Sequence, residues 1–381
     1  MTSKTNSLRR LFTPIKPIPS GIYHYISPPD DPRNYRLHLR LEPEGNGVLI
    51  INASTILHLN QTAAEYAYYL VKNEPVEQAT RKMVERYHVD QEQANNDYRD
   101  LVDRIQTLIN TPDLDPVTFL DLERIRPFTG QIAAPYRLDC ALTYRIPERT
   151  TETALVKRVD RELDTIEWKS IFDKAWSAGI PHIIFTGGEP TLRDDLPELI
   201  AHAESNDQVT GLISDGLRLS ERDYMGLLLQ TGLDHLMIIF QPDNEFVWKA
   251  LENSLVEDLF VAVHLTLDGK NKDELSGLID QLAERGVKAV SLSAHDQKLY
   301  GVLEKLRIQV ADLNLELVWN IPVPYSTFNP VDLETDLVEQ IEGEGRAWLY
   351  VEPDGDVLPA QGLNRVLGNI LSDNWDQIWK G

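Results

Sequence analysis

The chain has 381 residues and a single cysteine, Cys140. That count excludes an intrachain disulfide, a Cys-x-x-Cys zinc site and any iron–sulfur cluster drawing three thiolates from this polypeptide. A lone thiol within the largely apolar stretch 138–142 reads as a small buried hydrophobe. Basic residues are scarce too: 37 Lys and Arg stand against 60 Asp and Glu, a formal net charge of −23. Such a field repels a phosphate backbone, so no nucleic acid partner is expected. No run of about 18 apolar residues occurs, so no membrane span is expected. The N-terminus, MTSKTNSLRRLFTPIKPIPSG, lacks the uninterrupted apolar stretch of a signal peptide, which makes the cytoplasm the expected location.

Residues 1–20 carry Ser, Thr, Pro and Lys/Arg without periodicity, and a flexible arm is expected there. Over 21–115 the pattern predicts a small winged-helix-like α+β domain. Its strands would be Tyr35-Arg-Leu-His-Leu-Arg-Leu41, Gly47-Val-Leu-Ile-Ile-Asn52 and Thr55-Ile-Leu-His-Leu59, with a turn at Glu44-Gly45-Asn46-Gly47. Helices follow over about 62–73, 75–87 and 90–109, the first capped by Asn60 or Thr62. A DNA-reading wing wants Lys or Arg at its tip, where this chain has Gly45-Asn46-Gly47 preceded by acidic Glu42 and Glu44, so DNA binding is disfavoured.

Thr111-Pro-Asp-Leu-Asp-Pro116 breaks the pattern, and residues 116–135 are assigned to a linker. Between 136 and 330 strands and helices alternate, with apolar strands at 138–144, 181–186, 209–214, 235–240, 259–266, 288–293 and 316–320. The fold class is α/β, a parallel sheet covered by helices. A partial (β/α) barrel fits better than a dinucleotide-binding fold, because no Gly-x-Gly-x-x-Gly follows the first strand. From 331 to 381 the character changes. Trp348-Leu-Tyr-Val-Glu352 and Val357-Leu-Pro359 flank the turn signal Asp354-Gly355, and a short helix ends the chain.

One strand end stands out, Phe185-Thr-Gly-Gly-Glu-Pro-Thr-Leu192. Adjacent glycines let backbone approach a ligand closely, and Pro190 stiffens the exit. Thr186-Gly-Gly-Glu-Pro-Thr-Leu-Arg-Asp-Asp-Leu-Pro-Glu-Leu199 resembles the peptide-modifying members of the radical S-adenosylmethionine (radical SAM) superfamily. Leu212-Ile-Ser-Asp-Gly-Leu-Arg-Leu219 is similar to their next strand end, Leu233-Asp-His-Leu236 to the opening of the following strand, and Asn271-Lys-Asp-Glu-Leu275 to the segment after the fifth. Ile51-Asn-Ala-Ser-Thr-Ile-Leu-His-Leu-Asn-Gln-Thr-Ala-Ala64 with the helices to about 109 resembles the PqqD-like recognition element for precursor peptides. Val351-Glu-Pro-Asp-Gly-Asp-Val-Leu-Pro359 with Leu367-Gly-Asn-Ile370 is similar to the SPASM or twitch extension.

The resemblance implies a vestigial S-adenosylmethionine site at Gly187, Gly188, Glu189, Pro190, Ser214 and Asp215. It implies a peptide groove beside Leu57, Leu59, Tyr98, Leu101 and Ile105, where a leader segment adds a strand to the sheet. The family's Cys-x3-Cys-x2-Cys falls on Ile146, Thr150 and Thr153 in Leu142-Thr-Tyr-Arg-Ile-Pro-Glu-Arg-Thr-Thr-Glu-Thr153, and Ala360 stands where the extension usually has Cys. None of these side chains replaces a thiolate, so an iron–sulfur cluster is not expected. Two further family positions differ: Ile239 replaces a frequent Ser, and Asp215 replaces Asn. S-adenosylmethionine binding without a cluster stays open, as does a scaffold role for the Gly-Gly-Glu-Pro turn. The expected function is binding of a precursor peptide or partner protein by a non-catalytic relative. The alternative is an enzyme that borrows ligands from a partner, or one that uses Glu189, Asp215, Gln241 and His264 at the barrel mouth.

Overall fold

The computed structural model describes residues 15–28, 30–53, 55–111, 132–147, 159, 161–294, 296–319, 321–323 and 345–380. The chain divides into two compact units, residues 1–129 and 130–381.

In the first unit an antiparallel sheet runs in the order β1 (Gly21–Ile26), β2 (Arg36–Leu41), β3 (Gly47–Ile51), β4 (Thr55–Leu59). Alternation sends Leu37, Leu39, Leu41, Leu49, Ile51 and Leu57 to one face. There they pack on Ala64, Ala67 and Val71 of α1 (Gln61–Val71) and on Ile105 and Leu108 of α3 (Gln91–Asn110). A second core joins α1, α2 (Val76–Tyr87) and α3 through Tyr66, Tyr69, Ala79, Met83, Ala94 and Tyr98. Asn60 caps α1 by accepting from the Ala63 amide at 2.9 Å, and Asp90 caps α3 through Gln93 at 2.9 Å. Such caps contribute about 1 kcal/mol each.

The sequence predicts three strands here, and the structure has a fourth, β1, in register with β2 from Gly21↔Leu41 to Ile26↔Arg36. Its core-facing residues are Tyr23 and Tyr25, and the proline-rich run before it hides the alternation. Of the expected arm, residues 15–20 belong to this unit: the Ile15 carbonyl accepts from Gln61 Nε2, the Lys16 carbonyl from Arg86 Nη2, and Ile18 packs on both cores. Residues 1–14 of that arm, 112–131 of the linker region and 331–344 of the extension lie outside the described residues.

The second unit begins with seven parallel strands in chain order: β5 (Arg137–Thr143), β6 (His182–Gly187), β7 (Val209–Ser214), β8 (His235–Ile239), β9 (Phe260–Leu267), β10 (Ala289–Ala294) and β11 (Glu316–Leu317). Helices α4 (Thr165–Ala178), α5 (Leu196–Ser205), α6 (Arg222–Gln230), α7 (Glu245–Leu255), α8 (Leu275–Glu284) and α9 (Tyr300–Asp312) connect them. Each strand pairs with its neighbours in sequence, so the winding never reverses and the crossovers share one face. Leu138, Cys140, Ile183, Phe185, Leu212, Leu236, Ile238, Val261 and Val263 meet those helices in the main core. Their alternates Ile184, Ile213, Met237, Ile239, Ala262 and Ala289 form a smaller cluster on the inner face. This is the expected partial (β/α) barrel. The last predicted strand, 316–320, shortens to two residues, one exposed and one half-buried.

The C-terminal strands complete the same sheet. β12 (Trp348–Val351) pairs parallel with β5, and β13 (Asp356–Leu358) returns antiparallel around the Asp354-Gly355 turn to meet β14 (Gly368–Asn369). In α10 (Trp375–Lys380) the indole N–H groups of Trp375 and Trp379 donate to the carbonyls of Ala133 and Ile132. Lys174 of α4 donates to the carbonyls of Ile370, Leu371 and Asp373. Among the described residues no helix is long and apolar enough to cross a membrane.

Lys174→Met leaves three half-buried carbonyls short of a donor, at a local cost of about 1–3 kcal/mol. Hydrogen–deuterium exchange of the amides around 368–375 is expected to accelerate while β6 to β8 stay protected. Unchanged exchange there would show that the ammonium does not anchor this segment.

Candidate functional site

The Gly-Gly-Glu-Pro turn leaves the end of β6 and lies against the end of β5. The Gly188 amide donates to the Thr143 carbonyl at 2.7 Å and the Glu189 amide to the Arg145 carbonyl at 2.8 Å. A Cβ on Gly187 would stand 2.2 Å from the Thr143 carbonyl oxygen, and one on Gly188 2.2 Å from that of Arg145. Gly187 also has φ +127°, a conformation that side chains oppose. Backbone-to-backbone contact within the barrel is thus enough to require both glycines.

Glu189 is buried at 1% exposure. Its Oε1 accepts from the Thr191 amide at 2.9 Å, the Thr191 hydroxyl at 2.5 Å and the Ser214 hydroxyl at 2.9 Å, and its Oε2 accepts from the Asp215 amide at 2.7 Å. Four donors thus surround the carboxylate, three of them on Oε1. The Asp215 side chain accepts from the Leu217 amide at 2.9 Å. Burial first, and then the neighbouring Glu189 charge, push the Asp215 carboxyl up to about 8. The six residues expected at a cofactor site therefore converge, Pro190 opening the short turn that carries Thr191, but the polar groups of Glu189, Ser214 and Asp215 bond chiefly to one another and to their own loop. The hydroxyl donors Thr191 and Ser214 form part of this set. Sequence reasoning missed the role of Thr191, whose only signal is a polar residue two places after a buried Glu.

The other barrel-mouth candidates stand apart. His264 is buried, with Nδ1 and Nε2 each 3.0 Å from the hydroxyls of Ser291 and Ser293 and Thr266 at 3.2 Å. Burial drives its pKa down to about 3, so it is a neutral ring among hydroxyls and a poor base at neutral pH. Gln241 is buried and its carbonyl accepts from the Asn244 amide.

The loop after β5 is where a cluster would need sulfur. Ile146 is half-buried, and Thr150 and Thr153 lie outside the described residues. Cys140 is fully buried among the helix-facing residues of β5, and burial pushes its thiol well up. The flanks of the loop are tied by other chemistry. The Arg193 guanidinium donates to the carbonyls of Leu142 and Leu163 and pairs in two places with Asp195, while Thr143 donates to Glu162 and Tyr144 to Glu352. Ala360 is buried. With one thiol that faces away from the loop, these residues do not fit a [4Fe–4S] cluster.

In the N-terminal unit a cavity of about 350 Å³ opens between β4 and α3. Leu57, Leu59, Leu101 and Ile105 line it together with Ala63 and Tyr66 of α1 and with Asp97, Asp100 and Arg104 of α3. Tyr98, the fifth expected groove residue, does not: it packs on Tyr66 in the second core. β4 is the last strand of its sheet. The Glu42 amide donates to the Asn46 carbonyl, which fixes the alternation of bonded pairs across the sheet. Followed through the β3–β4 register, it turns the N–H and C=O of Ile56 away from β3.

Comparison with known proteins agrees with this architecture. Residues 148–268, within the barrel unit, match the Radical SAM superfamily. In fold the chain is similar to SuiB of Streptococcus suis. The TM-score is 0.60 against SuiB bound to S-adenosylmethionine and 0.58 against SuiB bound to the precursor peptide SuiA. Each match covers 93% of this chain and 88% of the SuiB chain at 16% identity. At that identity the likeness speaks for the fold alone.

The Asp215 carboxyl gives a signed expectation. A raised native pKa means that the fold favours the protonated acid, so this contribution is present below about pH 4 and is lost as pH rises through about 8. Asp215→Asn keeps an acceptor for Leu217 and removes the titration. Melting temperatures from pH 5 to 9 should therefore fall less steeply in the variant than in the parent chain. Parallel profiles would mean that Asp215 ionises normally.

Proposed function

We propose that this chain is a non-catalytic relative of the peptide-modifying radical SAM enzymes. Its N-terminal unit captures a peptide or partner-protein segment, and its barrel serves as scaffold. The observation that carries the first half is the sulfur count: one cysteine, buried in the main core. A [4Fe–4S] cofactor needs several thiolates, and reductive cleavage of S-adenosylmethionine needs the cluster's electron. The internally bonded Glu189 and the tight backbone contacts of Gly187 and Gly188 support a scaffold reading of the retained turn over a surviving S-adenosylmethionine site.

The second half rests on the groove beside β4. It combines the margin of a sheet with an apolar helix wall, the arrangement in which an extended segment adds a strand and seats alternate side chains in pockets. SuiB, similar in fold over nearly the whole chain, is known bound to a precursor peptide, and that supports a peptide of the same broad kind here. The recognition unit would present such a segment to a separate enzyme or hold the chain in a larger assembly, in the cytoplasm.

Two measurements test the reading. Anaerobic reconstitution with iron and sulfide should leave the chain colourless, with iron no higher than in a Cys140→Ser control; a stoichiometric [4Fe–4S] spectrum would overturn the non-catalytic assignment. Panning the full-length protein against displayed random peptides should enrich extended apolar sequences that bind in fluorescence polarisation and lose at least about tenfold in affinity with Leu101→Ser, the loss expected from removing an apolar anchor. Binding that ignores Leu101 would place the peptide elsewhere.

A further inference from the structure

From the charge and spacing along α3 we infer that the groove selects an extended segment with one cationic and two apolar residues at alternate positions, the cationic one at one end of the three. This rests on the groove reading above and adds the chemistry of the occupant. Asp97, Leu101 and Ile105 line the cavity at four-residue intervals, so they form one stripe along the helix with steps of about 6 Å. Same-face side chains on an added strand recur about every 6.8 Å. Three alternate residues of a bound segment therefore meet Asp97, Leu101 and Ile105 in turn, with Leu57 and Leu59 closing the apolar end from β4.

The polar end is acidic. Asp100 is already paired with Arg104 at 2.9 Å, whereas Asp97 makes no ion pair among the described residues and is exposed. Tyr66 lines the same end as a neutral phenol whose hydroxyl donates to the Ala94 carbonyl. A lysine or arginine there gains a partner and lays its methylene stem on the apolar floor. An acidic residue there meets the Asp97 carboxylate, and like charges repel. The net charge of −23 acts in the same direction at long range.

The test uses full-length protein and four labelled peptides: Gly-Thr-Lys-Thr-Leu-Thr-Ile-Thr-Gly, its reversal, because the strand direction is not fixed, and the same pair with Glu for Lys. At low salt the better lysine peptide is expected to bind about fivefold tighter than its glutamate form, the scale of one half-exposed ion pair. Asp97→Asn should reduce that ratio to near one while leaving the glutamate form no weaker. Equal binding of both forms overturns the cationic selectivity and leaves the groove standing. Binding of none of the four sinks the groove reading as well. The chain's own Leu8-Arg-Arg-Leu-Phe12 has a related composition and is the rival occupant. If deleting residues 1–14 tightens the lysine peptide about tenfold, the cation-selective groove serves the chain itself and the assignment to a separate partner falls.

Discussion

The barrel unit depends on a contact between two pieces of backbone. The turn after β6 comes so close to the end of β5 that no side chain fits at Gly187 or Gly188, and the Glu189 carboxylate, placed by that turn, gathers amide and hydroxyl donors from its own loop and from the end of β7. Three strand ends are thereby held in fixed relation. A buried carboxylate without these donors would be strongly unfavourable, so the motif is self-consistent as architecture. Its persistence in a chain with one thiol needs no cofactor to explain it.

This separates two properties that the family resemblance bundles together. Cluster chemistry resides in a few soft ligands on one loop, whereas the fold resides in the alternation of apolar residues along seven parallel strands. With Ile146, Thr150, Thr153 and Ala360 where the resemblance would put thiolates, the main core of the barrel needs no sulfur ligand, because the strands that build it bring their own Leu, Ile, Val and Phe. Arg193, tied to Leu142, Leu163 and Asp195, joins the flanks of the loop after β5. A charge-assisted network of this kind is strong where it is buried.

Much of this was legible in the sequence. Period-two alternation for β2 and short apolar runs for β3, β4 and β5 to β10 located these strands to within a residue or two, because the fold buries them. β1 escaped because its buried side is Tyr23 and Tyr25 rather than aliphatic, and because it follows prolines. The sequence suggested a groove beside β4, where the structure has a cavity that Tyr98 does not line: α3 is covered on two sides, so its apolar residues form two stripes, and periodicity alone does not say which faces β4. Ala94 and Tyr98 face the helices, while Leu101 and Ile105 reach the cavity. The donors to Glu189 were not legible, since Ser214 lies 25 positions away in the chain and meets it only across adjacent strands.

The parallel pairing of β12 with β5 has a consequence for what such a chain is able to discard. Without it, the first barrel strand would present a bare row of amides and carbonyls, an invitation to pair with another molecule. The C-terminal hairpin covers that row and carries the margin on to the short β14. These C-terminal strands are the hem of the sheet whatever chemistry the barrel performs, and cutting them away would open the first barrel strand to pairing with another copy of the chain.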